Sequence, residues 1–417
     1  MRSILTMLLL SATYCCDAQL PAFPGAEGFG ALATGGRGKE VYKVTNLNDA
    51  GAGSFRDAVS KPGRTVVFDV AGVIRIDKAV EVESDITIAG QTAPENSVVI
   101  YGNSVSFSRS HNIIVRYLTL RGSINMPRGK CVLNVDSAQN IIFDHVSVQW
   151  GRWDNVHIKG STELTLQHCL IGESIDPQRF GALLEGPKNI SIAHSLWISN
   201  QSRNPKAKAD IEYINNIVYN WGSSGFVGGH SAADHHQDII NNYFIAGPSS
   251  KDSNYLSLFT KTDHSFQSGN KVDIAKDGKL NGIAITATDF EKEGATLEQQ
   301  KQFHPTIPVT VLTTDNIFKP IVKNVGNAKY RDAIDTRLVE NLKSLGTSGA
   351  IIHTENEVGG QKNISTGKPL ADTDADGMPD VWERKMGLNI NDPKDAQKIN
   401  PQNNYTWLET YINALSN

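Results

Sequence analysis

The chain has 417 residues, a formal net charge of −4 and a pI near 6.3, a balance that gives no sign of a nucleic-acid partner. Aromatic residues make up 7% and glycine occurs 36 times, which favours a turn-rich β protein over a helical bundle. A chain this long can bury a large core, either as two or three domains or as one elongated β unit.

The N-terminus has the composition of an export signal. Arg2 supplies positive charge, Ile4 to Leu10 form a short apolar core broken by Thr6, and Cys16-Asp17-Ala18 places small residues where a signal peptidase cuts after Ala18. The apolar run is too short to span a bilayer. Tyr14 and Cys15 stand where a lipoprotein signal needs a small residue, so a secreted protein is expected, periplasmic or extracellular. Cys131 and Cys169 remain after cleavage; an exported compartment permits a disulfide, and two separate buried thiols fit the sequence as well.

Next come a short helix expected within 54–60 and strand-like runs at 65–70, 85–90 and 98–102; the helix is placed to cover the open end of the strands. The centre is a repeat. Six segments beginning at Val115, Phe143, Leu166, Ile192, Tyr213 and Ile239 align without gaps, at intervals of 28, 23, 26, 21 and 26 residues. Units this short and this rich in β-branched and aromatic residues read as stacked strand–turn–strand coils. The first column is Val, Phe, Leu, Ile, Tyr, Ile and the sixth is Leu, Val, Ile, Trp, Val, Phe. Stacked at about 4.8 Å, these columns become apolar ladders that bury a core no single coil could bury. The third column, Tyr117, His145, His168, His194, Asn215 and Asn241, reads as a structural polar ladder, hydrogen-bonded from coil to coil, rather than a metal site.

Beyond about residue 250 the pattern fades into loops, with helices expected at 298–303 and 328–345 and a Gly/Lys/Asn-rich linker at 355–371. The organisation expected is a signal at 1–18, a β-solenoid at 19–354, the linker, and a C-terminal module at 372–417. That module contains Asp372-x-Asp374-x-Asp376-Gly377-x5-Glu383, the spacing of an EF-hand-type calcium loop. Side-chain oxygens of Asp372, Asp374 and Asp376, the Met378 carbonyl, Asp380 and a bidentate Glu383 are the expected ligands, and Ca2+ would order a tail with little core of its own. Trp382, Tyr405, Trp407 and Leu408 are placed to pack there.

Ordered blocks along the chain carry a family resemblance. Ala22-Phe23-Pro24-Gly25-Ala26-Glu27-Gly28-Phe29-Gly30, Gly35-Gly36-Arg37-Gly38, Ser54-Phe55-Arg56-Asp57-Ala58-Val59, Asp144-His145 with Trp150-Gly151, Ser202-Arg203-Asn204-Pro205 and Asn215 to Gly222 resemble secreted bacterial pectate lyases of polysaccharide lyase family 1. The resemblance implies an all-β chain forming a right-handed parallel β-helix, here with an N-terminal cap and the small calcium module. It also implies β-elimination on polygalacturonate (pectin) assisted by calcium, by a monomer with no membrane partner.

In that family an arginine of an Arg-x-Pro segment is the base, and Arg203 matches it; a neutral guanidinium needs nearby cations and desolvation. Lys208 stands where the family has a second, substrate-holding arginine, and Arg179 is the nearest cation after the expected acidic residues. Asp154, Glu173 and Asp176 are the expected groove ligands of calcium. Asp154 lies 9 residues after His145, Glu173 lies 5 after His168 and Arg203 lies 9 after His194, which would put all three on one flank. Asn155 departs from the family's Asp-Glu pair. Action on methylated pectin and a non-catalytic glycan-binding β-helix stand as alternatives, whereas the paired acids of a solenoid hydrolase are missing.

Overall fold

The structure, a computed structural model, describes residues 19–251 and 253–416; the export signal expected at 1–18 lies outside the described residues. Its main body is a parallel β-solenoid of about nine turns built from three sheets of 11, 10 and 8 strands, each coil lending one short strand to each sheet in turn. Among the described residues, every strand pairing within these three sheets is parallel except the last in the second sheet, where Lys271–Asp273 meets Ile283–Ala284 antiparallel. Among the described residues no helix is long and apolar enough to cross a membrane.

The aligned segments stack in the register their columns require. On the first sheet Val115 pairs with Phe143, Phe143 with Leu166, Leu166 with Ile192, Ile192 with Tyr213 and Tyr213 with Ile239. On the second sheet the sixth column runs from Leu120 through Val148, Ile171, Trp197 and Val218 to Phe244. All twelve residues are buried in one interior core, joined from the third sheet by Val135, Val156, Ile158 and Leu184. Each fully buried aliphatic or aromatic side chain stabilises the stack by about 1.5–3 kcal/mol.

The third column turns out to be a corner. Tyr117, His145, His168, His194, Asn215 and Asn241 all have φ between 52° and 56°, the left-handed region, where the first sheet bends into the second. Asn and His are among the few non-glycine residues that tolerate this region, which explains the composition of the column. The rings stack on one another, with centroids 4.5, 4.8 and 5.2 Å apart from Tyr117 to His194. The hydrogen-bonded ladder lies one residue further on and points inward. The Asn216 amide donates to Asn242 Oδ1 at 3.1 Å and the Asn242 amide to Asn270 Oδ1 at 3.0 Å, while each of the two also donates to a strand carbonyl.

The flanking segments cover the sheets. Ser54 caps a helix at Phe55–Ala58, and Phe55, Ala58 and Val59 enter the interior core beside Phe68. The Gly-rich segment at 22–33 crosses the outer face of the first sheet, with Gly30 donating to Thr165 Oγ1 at 2.9 Å. A Cβ at Gly30 would stand 2.2 Å from the Ile141 carbonyl, so only glycine fits there. Helices Phe318–Asn324 and Ala333–Lys343 cover the second sheet through Ile321, Leu338 and Leu342. No helix forms at 298–303; the helix in this region is Ala287–Glu293, started by a Thr286/Asp289 capping box, and the solenoid continues to Thr296–Leu297. Cys131 and Cys169 are both buried free thiols, and burial pushes Cys131 up to about 12.

After Glu355, whose carboxylate accepts from Ser123 and the Ile124 amide, residues 359–371 carry no helix or strand and run back along the early coils. Asn363 meets Arg75 and Ser365 meets Asn96. The C-terminal segment therefore packs on the first coils, with Met378, Ala396, Leu408 and Ile412 against Val67 and Ala89.

Beside the ring stack, Asp144 is buried. Burial alone would raise its carboxyl, but His145 and Arg116, the latter at 2.8 Å, outweigh that and hold it well below the ordinary carboxylate range. A depressed folded value adds stability that is present above the unfolded pKa of about 3.9 and is lost as pH falls below it. Urea midpoints of the wild type should accordingly drop more steeply between pH 5 and pH 2 than those of Asp144→Asn; equal slopes would show that Asp144 carries no such linkage.

Candidate active site

The corners between first and second sheets are tight, whereas the connections from the second to the third sheet are longer and form one flank of the stack. Asp154, Glu173, Asp176, Arg179 and Arg203 all lie on this flank. Asp154 opens a third-sheet strand and stands in register with Phe180, which pairs in turn with Ser202. Further along, Leu183 pairs with Lys206, so the strand bearing Arg203 has one residue more than its neighbour between these pairings. That residue is accommodated as a bulge, with Arg203 at φ 61°. Bulges redirect side chains, and here the guanidinium lies over the Phe180 ring, 4.1 Å from its centroid. One guanidinium nitrogen donates to both Asp154 oxygens, at 3.0 and 3.3 Å.

Asp154 has no exposed surface, and burial pushes its carboxyl up to about 7 although Arg203 pulls it down. One partly exposed guanidinium does not offset the desolvation of a carboxylate this deep. Glu173, also buried, follows the strand Leu170–Gly172. It receives a bidentate pair from Arg337 at 2.6 and 2.7 Å, with the Trp150 indole at 3.5 Å. Asp176 is half exposed and faces Arg179 Nε at 3.3 Å and His353 Nδ1 at 3.1 Å. Lys206 and Lys208 flank the buried Ala207 on the outer face of their strand; burial, then Lys208 and Arg203, lower Lys206. The fold thus brings Asp154 to Arg203 and Asp176 to Arg179, but gives Glu173 to a partner from a distant helix. Sequence reasoning missed Arg337, His353 and Phe180. The helix bearing Arg337 was legible from Ile334, Leu338 and Leu342, but nothing local says which coil its polar face meets.

Asn155 does not face the groove. Its amide donates to the Gly172 carbonyl at 2.8 Å and to Asn200 Oδ1 at 3.2 Å, while its oxygen accepts from the Gly151 amide at 2.8 Å. A carboxylate could not make the two donations, which accounts for the amide at this position.

Among the described residues, acidic side chains converge in threes at two places, both in the C-terminal module: Asp372, Asp374 and Asp376, and Asp376, Glu383 and Asp395, each set with ligand atoms within 4.8 Å of one another. Both oxygens of Asp374 and of Glu383, one of Asp376 and one of Asp395 are buried without a hydrogen-bond partner. Burial, reinforced by the neighbouring carboxylates, pushes Asp376 up to about 8 and Glu383 to about 7. Asp380 is committed elsewhere: it accepts from the Thr373 amide and hydroxyl at 2.8 and 2.9 Å and from Arg384 at 3.2 Å. Met378 is buried in the module's core, and its amide donates to Asp376 at 2.8 Å.

No protein-family model matches the chain. The fold is that of the parallel β-helix polysaccharide lyases: it superposes on the solved structure of a thermostable pectate lyase with a TM-score of 0.56 at 12% identity, over 73% of this chain and 97% of that one. At the level of sequence, a probable pectate lyase C of Aspergillus flavus is 40% identical over 402 residues, covering 95% of this chain and 94% of that protein. A probable pectate lyase C of Emericella nidulans is 39% identical over 419 residues, covering 100% and 97%. The chain belongs to the pectate lyase family. Both of these relatives are fungal rather than bacterial.

The Arg337–Glu173 pair gives a direct test. Arg337→Ala leaves a buried carboxylate unpaired and should cost about 3 kcal/mol in urea unfolding, most of which Arg337→Ala/Glu173→Gln should restore. Equal losses in the single and double variants would mean that the pair does not carry the effect.

Proposed function

We propose that the protein is a secreted pectate lyase of polysaccharide lyase family 1 that cleaves polygalacturonate by β-elimination, with Arg203 as the base. The observation that carries this reading is the seating of Arg203. In a chain about 40% identical to pectate lyases along its length, the arginine of its Arg-Asn-Pro segment is turned by a bulge onto Phe180 and Asp154, at the flank where several cations gather. The C5 proton of a galacturonate lies next to a carboxylate. Arg203, once neutral, takes that proton; the C5 electron pair becomes the C4–C5 double bond, the C4–O4 bond breaks, and the departing O4 takes up a proton. Lys208 and Arg179 hold uronate carboxylates, with Lys206 and Arg337 adding positive charge.

For calcium, the donor atoms of the groove fit in kind. They are hard oxygens, and both oxygens of Asp154 lean on a single guanidinium nitrogen, so lone pairs remain. Asp154 and Asp176 would hold the ion, joined by Glu173 where Arg337 releases it. When bound, the ion neutralises the substrate carboxylate as a Lewis acid. We also propose a structural calcium site in the loop, held by Asp372, Asp374, Asp376, the Met378 carbonyl and Glu383, with Asp380 left to Thr373 and Arg384. The orphaned buried oxygens of that loop support it.

Incubation with polygalacturonate and calcium should give unsaturated uronate, read by its ultraviolet absorbance, and the signal should disappear on chelation. Arg203→Ala should lower kcat by about 10²–10⁴-fold. Activity should rise into the alkaline range, since an arginine base works only deprotonated. A maximum near pH 5 would transfer the role to a carboxylate, reducing ends without the chromophore would indicate hydrolysis, turnover of methylated pectin alone would move the specificity, and no product at all would leave a glycan-binding solenoid.

A further inference from the structure

We propose that Asp395, 12 residues beyond Glu383 and outside the 12-residue loop, is a ligand of the divalent cation in the C-terminal module and takes the place the loop pattern assigns to Asp380. The inference rests on the calcium reading of that module and deepens it.

The loop pattern expects a side chain or its bound water at the ninth position. Here that carboxylate is used up, since both Asp380 oxygens serve the Thr373 amide and hydroxyl and one also meets Arg384. Asp395, which begins a short helical turn at Asp395–Gln397, comes to the same cluster from outside the loop. Its ligand atom lies within 4.8 Å of those of Asp376 and Glu383. Only one of its oxygens has a partner, the Asn389 amide at 3.0 Å; the other is buried and accepts nothing. Glu383 has no exposed surface at all, and neither of its oxygens is bonded. Buried carboxylate oxygens are rarely left unsatisfied, and here several are unsatisfied around one point. With Asp376 shared by both converging sets, five carboxylates from 24 residues of chain surround the same place. Lys43, bonded to Asp372 at 2.8 Å and to Asp69 at 3.0 Å, provides one positive charge at the edge, too little to balance them. Oxygen donors alone, in high charge count, select a hard divalent cation of the calcium class. Asp395 thereby ties the second half of the module to the loop, because the cation joins residue 395 to residues 372–383.

The test uses the full chain in an Asp154→Asn background, so that the groove adds no binding of its own. The protein is stripped with chelator, calcium is the probe, and the readouts are titration calorimetry and thermal unfolding. Asp395→Asn keeps an acceptor for the Asn389 amide and removes the charge. It should weaken calcium binding by about tenfold or more, while Asp380→Asn changes it by less than about threefold. In chelator, Asp395→Asn should melt at the same temperature as its parent or higher, because a buried repulsion is relieved; in calcium it should gain less. Calcium binding equal to the parent's would overturn the proposal, as would an equal loss of stability with and without calcium, which marks a purely structural residue. If the parent binds no calcium and Glu383→Gln changes nothing, the calcium reading of the module fails, and the role of Asp395 fails with it.

Discussion

Everything in this molecule depends on coils stacking in register, and the register is held at the corner between the first and second sheets. There each coil must place one residue in the left-handed region, followed by one that points inward. The first requirement selects His and Asn, which bear positive φ at low cost; the second selects a side chain able to bond upward. Asn216 and Asn242 meet it by donating both to a strand carbonyl and to the next amide oxygen, and Asn270 ends the run by accepting from Asn242 and donating to the Ile239 carbonyl. A slip of one residue would turn Ile192 and Trp197 outward and break this ladder at once. With the corner fixed, the variable chain length of each coil is expelled at the connection to the third sheet, and that is where the charged groove forms.

The groove is a place where opposite charges are held close without being fully neutralised. Asp154 is too deep for Arg203 alone to compensate, while Glu173 is matched by a bidentate partner. This asymmetry gives the two carboxylates different uses. Glu173 fixes the helix Ala333–Lys343 against the solenoid, whereas Asp154 keeps unspent acceptor capacity beside the arginine proposed to do the chemistry. The ring of Phe180 completes the arrangement by packing against the guanidinium from one side.

Much of the solenoid could be read from the chain because stacked coils turn geometry into columns. The first and sixth columns needed only alternation and aligned lengths. The third column was legible as polar and repeated, but its cause was not, since a left-handed corner and a hydrogen-bonded ladder leave similar compositions; the inward amides one residue later carry the bonds. After residue 250 the strand Asp263–Ser268 is polar enough to hide among loops, although Asn270 continues the ladder. The helix at Ala287–Glu293 announced itself through its Thr286/Asp289 box, a local signal outweighed by the composition around 298–303. The partners Arg337 and His353 lie 164 and 177 residues from the acids they meet. No pattern short of the fold predicts them.

The same contrast governs the C-terminal module. A contiguous loop motif is legible because spacing alone brings Asp372, Asp374 and Asp376 together, but Asp395 arrives only after the chain has turned through a helix and a loop. The module's position explains why such a closure matters. Its apolar face, with Met378 and Leu408, rests on Val67 and Ala89 of the early coils, and Asp372 bonds Lys43 of the opening strand. The last residues of the chain thus pack on the outer face of its first coils. Five carboxylates in that position repel one another, so the calcium proposed for the loop would tighten this clasp when bound and its loss would loosen it. On the proposed calcium reading, the cation-dependent part of the stability therefore lies where the module rests on the early coils.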